Sequence, residues 1–488
     1  MGDRIDRYIA DVIGRGDEGS ALLNQLTNPT LRNYEFVDVL EDGMNGLAVL
    51  RVPKDHLVAV HSLGGDPALL DSSDHASSMI DNLVKSAKKE GFTPIAFSNV
   101  IDARDGKTEE VRKIGEALRG KADEESLAIL NGELAILGKR VNCAANIMGT
   151  MISLAPRSGD TKEGIFLRKT GIPFAVFHPR SKPLYINSDG IGTKTEFYER
   201  AGKFTTAWND FAAMNLDDTV KLGATAQVLS GVVETRKGRK DKGIPFNLIN
   251  HHAKFTGNMM GLYSILHCSD VGERIRGYND DWSTLNLSGS VVSTIDEERL
   301  RNPLRPSAGE SLIAIRGNPN PRSNGITDKR KMMVHLFGER WHETPEGKLF
   351  LEFLAEPSTI LYPVFTELIQ RNLATSVYHM SGGAFKGKLA RPIAKHGLYV
   401  NMKDLFLPDY RELALAGAGF TSAEVAYSKW PMGNDGFVTT KDPERTIRDI
   451  RKMGLEARVV GQLEMTDKTG VRLEVPTTGE FVEYSGRE

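Results

Sequence analysis

Cysteine is nearly absent: two of 488 residues, Cys143 and Cys268, neither with a second cysteine or a histidine at zinc-ligand spacing. A disulfide framework and a cysteine-bound zinc site are excluded, and a cytoplasmic, reducing location is expected. Long apolar runs are missing too. The longest stretch free of charge, 141–156, is shorter and more polar than the roughly 20 apolar residues of a membrane span. The opening segment MGDRIDRYIADVIGRGDEGS carries charge where a signal peptide needs an apolar core. Nor does one sign of charge dominate, with 62 Lys and Arg against 64 Asp and Glu. That balance lacks the basic footprint of a nucleic-acid or membrane-surface binder, so any polyanion it binds must be met locally. What is present is ordinary globular composition, 40% hydrophobic and 26% charged. The length predicts about two to four domains.

Strands and helices alternate along the chain, which predicts an α/β protein. Residues 1–160 read as helix (77–90), strand (TPIAFSNVI), charged helix (109–119) and two further strands. In 161–305, strands FAVFH and PLYIN lead into DGIGTK, followed by a helix with DFAAMNLDDTVKLGA, strand AQVLSGVVE, a basic loop, a helix near 252–267 and strand LSGSVVSTI. The two regions look like one unit written twice. A strand after Gly91 leads to Gly132-Glu133, and a strand after Gly223 leads to Gly272-Glu273, at spacings of 41 and 49 residues. Residues 306–488 form the third region.

The sharpest motif is DGIGTK, 189–194. Gly190 and Gly192 directly after a strand let backbone N–H groups, including that of Thr193, approach an anion; Lys194 adds a point charge and Asp189 a carboxylate suited to a hard metal ion. It is not a Walker A loop, and a plain glycine turn with a surface lysine is the competing reading. Asp217 and Asp218, adjacent in MNLDD, supply carboxylates of the kind a Mg²⁺ bound to ATP phosphates requires, although an acidic pair on a helix is commonly solvated. In the first region HSLGGDP has Leu63 where Asp189 stands in the second, with no lysine following, and the offsets that give Asp217 and Asp218 give Lys85 and Ser86. The first copy keeps the fold signals and loses the acidic chemistry, though Glu133 is placed to line a site. Further on, His379 precedes the turn Ser381-Gly382-Gly383, which can present donors to a phosphate beside an acid or base. Ser323-Asn324-Gly325 reads as a turn, and His251-His252 as structural or surface.

Taken in order, DGIGTK, AAMNLDD, VGERIRGY, RSNG, the SGG turn and the closing GQLEM resemble the aminoimidazole ribonucleotide synthetase (phosphoribosylformylglycinamidine cyclo-ligase) family over about 165–475, and PSTILYPV and WPMGNDGF are similar to family segments in the right order. The resemblance implies an N-terminal α/β domain whose strands form a barrel with a second copy, and a C-terminal α/β domain. It makes 1–160 a degenerate N-domain-like copy, 161–305 the ATP-binding domain and 306–488 the C-terminal domain. An internal pseudo-dimer then replaces the family homodimer, giving a monomer or an atypical homodimer. The implied activity is ATP-dependent closure of formylglycinamidine ribonucleotide to aminoimidazole ribonucleotide with release of ADP and phosphate, a ligase step of purine synthesis. Implied roles are Asp189, Asp217 and Asp218 for Mg²⁺ and ATP, Lys194 for the phosphates or the attacked oxygen, Glu273 for nucleotide or substrate, and His379 with Gly382 and Gly383 near a phosphate.

The sequence departs from the family pattern where GGETAEMPG is VGERIRGY, HSNG is RSNG with Arg322 in place of His, and GGGF is GGAF. Two other readings therefore stand beside the first: another ATP-dependent small-molecule kinase or synthetase of the same superfamily, and a non-catalytic nucleotide-binding relative.

Overall fold

A computed structural model of the chain describes residues 18–40, 47–65, 71–138, 141, 143–157, 161–167, 169–235, 244–272, 285–323, 325–420 and 422–486. It is a mixed α/β structure. Two compact units are formed by the described parts of Ala10–Glu199 with Ala224–Arg301, and of Arg200–Gly223 with Asn302–Glu488. Among the described residues, no helix is long and apolar enough to cross a membrane.

The first unit has twelve described strands: β1 (Val37–Leu40), β2 (Leu47–Leu50), β3 (His56–Gly64), β4 (Thr93–Ala103), β5 (Ala128–Ile136), β6 (Ala145–Pro156), β7 (Gly164–Leu167), β8 (Pro173–Phe177), β9 (Leu184–Gly190), β10 (Thr225–Thr235), β11 (Leu266–Gly272) and β12 (Leu285–Thr294). One sheet runs β5-β4-β6-β3-β8-β7 and the other β11-β10-β12-β9-β2-β1, the same order twice. Each short antiparallel pair joins the opposite half from the strand it precedes. β2, just before β3 in the chain, pairs with β9 at Leu50 and Leu184, while β8, just before β9, pairs with β3 from Val58–Phe177 to Val60–Ala175.

Register makes the repeat quantitative. Leu63 lies opposite Gly149 as Asp189 lies opposite Gly289. A bulge interrupts β4 between Pro94 and Ala96, and β10 between Ala226 and Val228. Glu133 opposite Val100 corresponds to Asp270 opposite Val232. The expected pairing of Gly132-Glu133 with Gly272-Glu273 is thus corrected, because the connection from β10 to β11 differs in length from that between β4 and β5 and spacing alone cannot show where the strands begin. Glu273 and the basic loop 236–242 lie outside the described residues.

The two sheets face each other, and their inward polar groups pair reciprocally. Ser62 bonds Ser230 at 2.7 Å, and their counterparts Ser188 and Ser98 bond each other. Asn146 donates to Glu234 at 2.8 Å, and its counterpart Asn286 donates to Asp102 at 3.2 Å. Between them Ser290 donates to its own counterpart, Thr150, at 2.8 Å. Residue i meeting j while j's counterpart meets i's is the signature of an isologous interface, here within one chain. Around this seam Val58, Val60, Ala96 and Ile152 of one sheet pack with Ile186, Val228 and Val292 of the other.

The outer face of the first sheet carries helices α1 (Ser72–Lys89) and α2 (Thr108–Glu124). The Asp71 side chain caps α1 by accepting from the N–H groups of Ser73 and Asp74, and Gly91, at φ +83°, ends it in a left-handed turn. Ile80 and Leu83 of α1 and Ile114 and Leu118 of α2 bury against Phe97, Ile101 and Met151. With helices on one side and a sheet on the other, β4 and β6 are buried on both faces, which explains their near-continuous apolar runs.

The second unit holds a seven-stranded sheet: β13 (Ser311–Arg316), β14 (Ser376–His379), β15 (Tyr399–Met402), β16 (Gly436–Thr440), β17 (Glu456–Glu464), β18 (Gly470–Glu474) and β19 (Phe481–Tyr484), ordered β14-β16-β13-β17-β15-β18-β19. With it pack α3 (Ala207–Val220), which carries MNLDD and is buried at every position except Asn209, and α4 (Tyr362–Gln370).

Several histidines are interior. His61 is fully buried, stacked on Phe174 at 4.2 Å, and burial pushes its imidazole down to about 3. The helix expected near 252–267 is Ile244–Tyr263, with His267 on β11 and its ring 4.7 Å from that of His252. Burial pushes His252 down to about 4. These folded-state values lie below the unfolded value of about 6.5, so the unfolded chain binds the extra protons at acid pH. Stability should be complete above about pH 6.5 and fall as pH drops toward about 3, by about 1.4 kcal/mol per pH unit for each such histidine. Urea midpoints at about pH 7 and about pH 5 test this: the gap should narrow in His61→Phe, and an unchanged gap would assign the acid sensitivity to other groups.

Candidate functional site

In the first unit β9 ends at Gly190, and the chain enters a tight helical turn, Gly192–Lys194, then a short helix, Thr195–Ala201. Gly192 sits at φ +52°, a left-handed conformation that glycine adopts without penalty. The Gly190 N–H is shared by two carboxyls, donating to Glu133 Oε2 at 2.8 Å and to Asp189 Oδ1 at 2.7 Å. Burial first, then the charge of Asp189, a hydrogen bond between the two carboxyls and the charge of Asp102 hold the Glu133 carboxyl well above the usual carboxylate range. Lys194 is fully buried, its Nζ 5.5 Å from the Tyr198 ring centroid. At the equivalent place in the other half, the Gly64 N–H donates to Asp270 at 3.4 Å and Leu63 replaces Asp189.

In the second unit the acidic motif is organised by a cation. Asp210 and Asp217, seven residues apart on α3, share a helix face. Asp217 Oδ1 accepts the N–H groups of Leu361 and Tyr362, both at 2.8 Å, which satisfies donors at the start of α4. Its Oδ2 accepts from Arg322 Nη2 at 3.1 Å. The fully buried Arg322 also donates from Nε to Met380 O at 2.9 Å, from Nη1 to Thr359 O at 2.8 Å and from Nη2 to His379 Nδ1 at 2.8 Å. A guanidinium can only donate. His379 Nδ1 is therefore the acceptor, the ring is neutral, and its proton lies on Nε2, which faces Asp218 Oδ1 at 3.8 Å. Burial, with Arg322 adding to it against the pull of Asp218 and Asp217, keeps His379 below its ordinary value.

Asp218 points elsewhere on the helix, to Lys221 at 3.0 Å and Lys388 at 3.1 Å. Burial alone would raise it, but the charges of Lys221 and Lys388 hold it well below the usual carboxylate range. The turn Ser381-Gly382-Gly383 leads into a π-helical turn, Phe385–Ala390, that brings Lys388 there. Asp435 accepts from the Gly317 N–H at 2.7 Å, Thr359 Oγ1 at 3.0 Å and Asn320 Nδ2 at 3.1 Å. Asp210 accepts from Ser323 Oγ at 2.6 Å and from the Ser358 hydroxyl. DFAAMNLDD, RSNG, PSTILYPV, HMSGG and WPMGNDGF thus meet in one polar network.

Of the residues expected from sequence, Asp189, Gly190, Gly192, Thr193 and Lys194 stand together in one unit, and Asp217, Asp218, His379, Gly382 and Gly383 in the other; Glu273 and Asn324 lie outside the described residues. As a metal set the three aspartates do not fit. Asp217 has both oxygens engaged within the protein, Asp218 is compensated by lysines, and no group of three His, Cys, Asp or Glu side chains among the described residues is arranged to hold a metal ion. Sequence reasoning missed Asp210, whose signal is its spacing of seven from Asp217. It also missed Lys388 and Asp435, which carry no local signal, and it read Arg322 only as a departure.

No family model matches the chain. Among curated proteins it is 27% identical over 203 residues to the phosphoribosylformylglycinamidine cyclo-ligase of Thermococcus kodakarensis, covering 41% of this chain and 56% of that one. It is 23% identical over 315 residues to the enzyme of that name from Methanococcus maripaludis, covering 62% and 84%. The chain thus spans little more than half the length of the first relative and most of the second. Among solved structures it is similar to E. coli HypE, a hydrogenase maturation protein, with 14% identity over 61% of this chain and 84% of that one at a TM-score of 0.42. Thiamine-monophosphate kinase from Stenotrophomonas maltophilia gives 12% identity over 64% and 92% at a TM-score of 0.39. By sequence, this chain is similar to curated cyclo-ligases at 23–27% identity.

Substitutions at Arg322 and Asp217 test the network, and one at Ala384 tests the turn beside it. Arg322→Gln leaves a buried carboxylate uncompensated and should lower the unfolding free energy in urea by about 3–5 kcal/mol, part of it recovered by adding Asp217→Asn. A loss below about 1 kcal/mol would show that the pair does not hold the fold. Ala384 adopts φ +36°, where a side chain is strained, so Ala384→Gly should stabilise by about 1 kcal/mol in the same assay.

Proposed function

We propose that the chain is an ATP-dependent cyclo-ligase that closes formylglycinamidine ribonucleotide to aminoimidazole ribonucleotide. The observation that supports this reading most directly is the DGIGTK turn, with its left-handed glycine, buried lysine and braced aspartate, in a chain whose curated relatives are named for this reaction. Gly192, Thr193 and Lys194 bind the phosphates, and Asp189 orients the turn. The formyl oxygen takes the γ-phosphoryl group of ATP; the amidine nitrogen then bonds to that carbon, loses a proton, and the C–O bond breaks to release phosphate. Positioning and electrostatics supply the rate. Asp218, His379, Gly382 and Gly383 are kept as ligand-facing groups, while Asp217 is reassigned as the anchor for Arg322 and α4. Mg²⁺ remains in this reading as the counter-ion of the nucleotide, which keeps most of its waters.

The same reading makes 1–160 a degenerate copy of 161–305, with 306–488 as the C-terminal domain, and the sheet-on-sheet interface a homodimer contact made within one chain. The protein is then a monomer, or a dimer through other surfaces. A second reading, a kinase or synthetase for a related small amide or amidine, is supported by Arg322 in place of the family histidine.

Purified protein with Mg²⁺, ATP and formylglycinamidine ribonucleotide should yield aminoimidazole ribonucleotide and ADP in equal amounts, and Asp189→Asn should lower the rate at least about a hundredfold. ADP formed only with another acceptor would favour the second reading. Light scattering should give one chain per particle, or a dimer whose contact leaves the sheet strands out; a dimer paired through the strands of 161–305 would sink the internal-copy reading.

A further inference from the structure

The two halves of the twelve-stranded unit share a device and differ in what it holds. At the end of β3 the Gly64 N–H donates to Asp270 of β11; at the end of β9 the Gly190 N–H donates to Glu133 of β5. Register makes these the same contact made twice. At the first end the preceding residue is Leu63, with nothing to orient. At the second it is Asp189, whose carboxyl shares the same N–H.

From this juxtaposition we infer that Glu133, a residue of the half lacking the acidic turn, is a positioning residue for DGIGTK: it fixes the Asp189 carboxyl and the Gly190 peptide before any ligand arrives. The inference rests on the reading of that turn as the nucleotide site. Glu133 is itself held on rigid elements. β5 lies in a ladder with β4, Asn131 Nδ2 donates to Ile186 O of β9 at 3.2 Å, and Asn131 Oδ1 accepts the Gly132 N–H at 2.8 Å. A Cβ on Gly132 would stand 2.7 Å from Oδ1 of the buried Asn99, so any larger residue there would force that side chain to shift. The triplet Asn131-Gly132-Glu133 is therefore a fitted wedge between β4 and β9 that delivers one carboxyl to one amide. A site residue placed to within a fraction of an ångström by such support is preorganised, and removing the support loosens the site without removing any ligand contact.

The test compares Glu133→Leu, Glu133→Gln and Asp270→Leu with wild type in the full chain. Two readouts are used: titration with a non-hydrolysable ATP analogue, and hydrogen exchange of the 187–195 amides without nucleotide. Glu133→Leu should weaken binding at least about tenfold and speed exchange across the turn. Glu133→Gln keeps an oxygen for the Gly190 N–H and an amide to donate to Asp189, and should restore both. Asp270→Leu removes the equivalent brace in the other half and should leave both unchanged. Wild-type exchange and affinity in Glu133→Leu, or equal losses in Asp270→Leu, would overturn the inference. Should Glu133→Leu not fold, Glu133→Asp, too short to reach Gly190, takes its place with the same expectations. If wild type binds no analogue, the nucleotide reading fails by itself, and exchange still decides the role of Glu133.

Discussion

A polar group taken out of water must find a partner inside, and this protein is arranged around two places where that demand is met at high density. Between the twelve strands of the first unit, serines, threonines, asparagines and carboxylates pair across the two sheets in reciprocal couples. In the second unit one buried guanidinium gathers Asp217, His379 and two backbone carbonyls. An apolar interface tolerates small slips. A seam of hydroxyls does not, because a shift of one residue turns every paired group toward the wrong face. The polar content of these cores thus fixes register, while the surrounding Val, Ile, Leu and Phe supply most of the burial.

Much of the fold was legible because glycine and proline punctuate it. Gly91 and Gly223 stand just before the matching strands β4 and β10, and both sit in left-handed turns. Leu63 was correctly matched to Asp189 because both stand just before a glycine at a strand end. The match failed for Glu133, where the intervening helix and loop differ in length and only the ladder reveals that Asp270 is the counterpart. Exchange of the β1–β2 and β7–β8 pairs between halves was invisible: a strand's sequence records that one of its faces is buried, not which sheet it joins.

The site was legible by residue type and less so by role. MNLDD announces two carboxylates, and adjacency on a helix already implies that they point in different directions, about 100° apart. What they meet, apart from Lys221 beside Asp218, lies on segments more than a hundred positions away. Arg322 looked like a departure from a family pattern; in the structure it is the group that makes Asp217 a helix cap and sets the proton of His379 on Nε2. A motif shows where charge is placed, and the compensating charge decides whether it binds a ligand or holds the chain.

The hairpin exchange bears on how such a chain can change over time. Each half needs a strand pair from the other to complete its sheet, so neither is a whole domain, and no cut between residues 160 and 161 would release an intact one. A half in that position can differ at its strand end, with Leu63 where the other half has Asp189, yet cannot be deleted. Mutational freedom and structural indispensability coexist a residue apart: Leu63 has no partner to satisfy at the acidic position, while Ser62 beside it is tied by its hydroxyl to both Thr150 and Ser230.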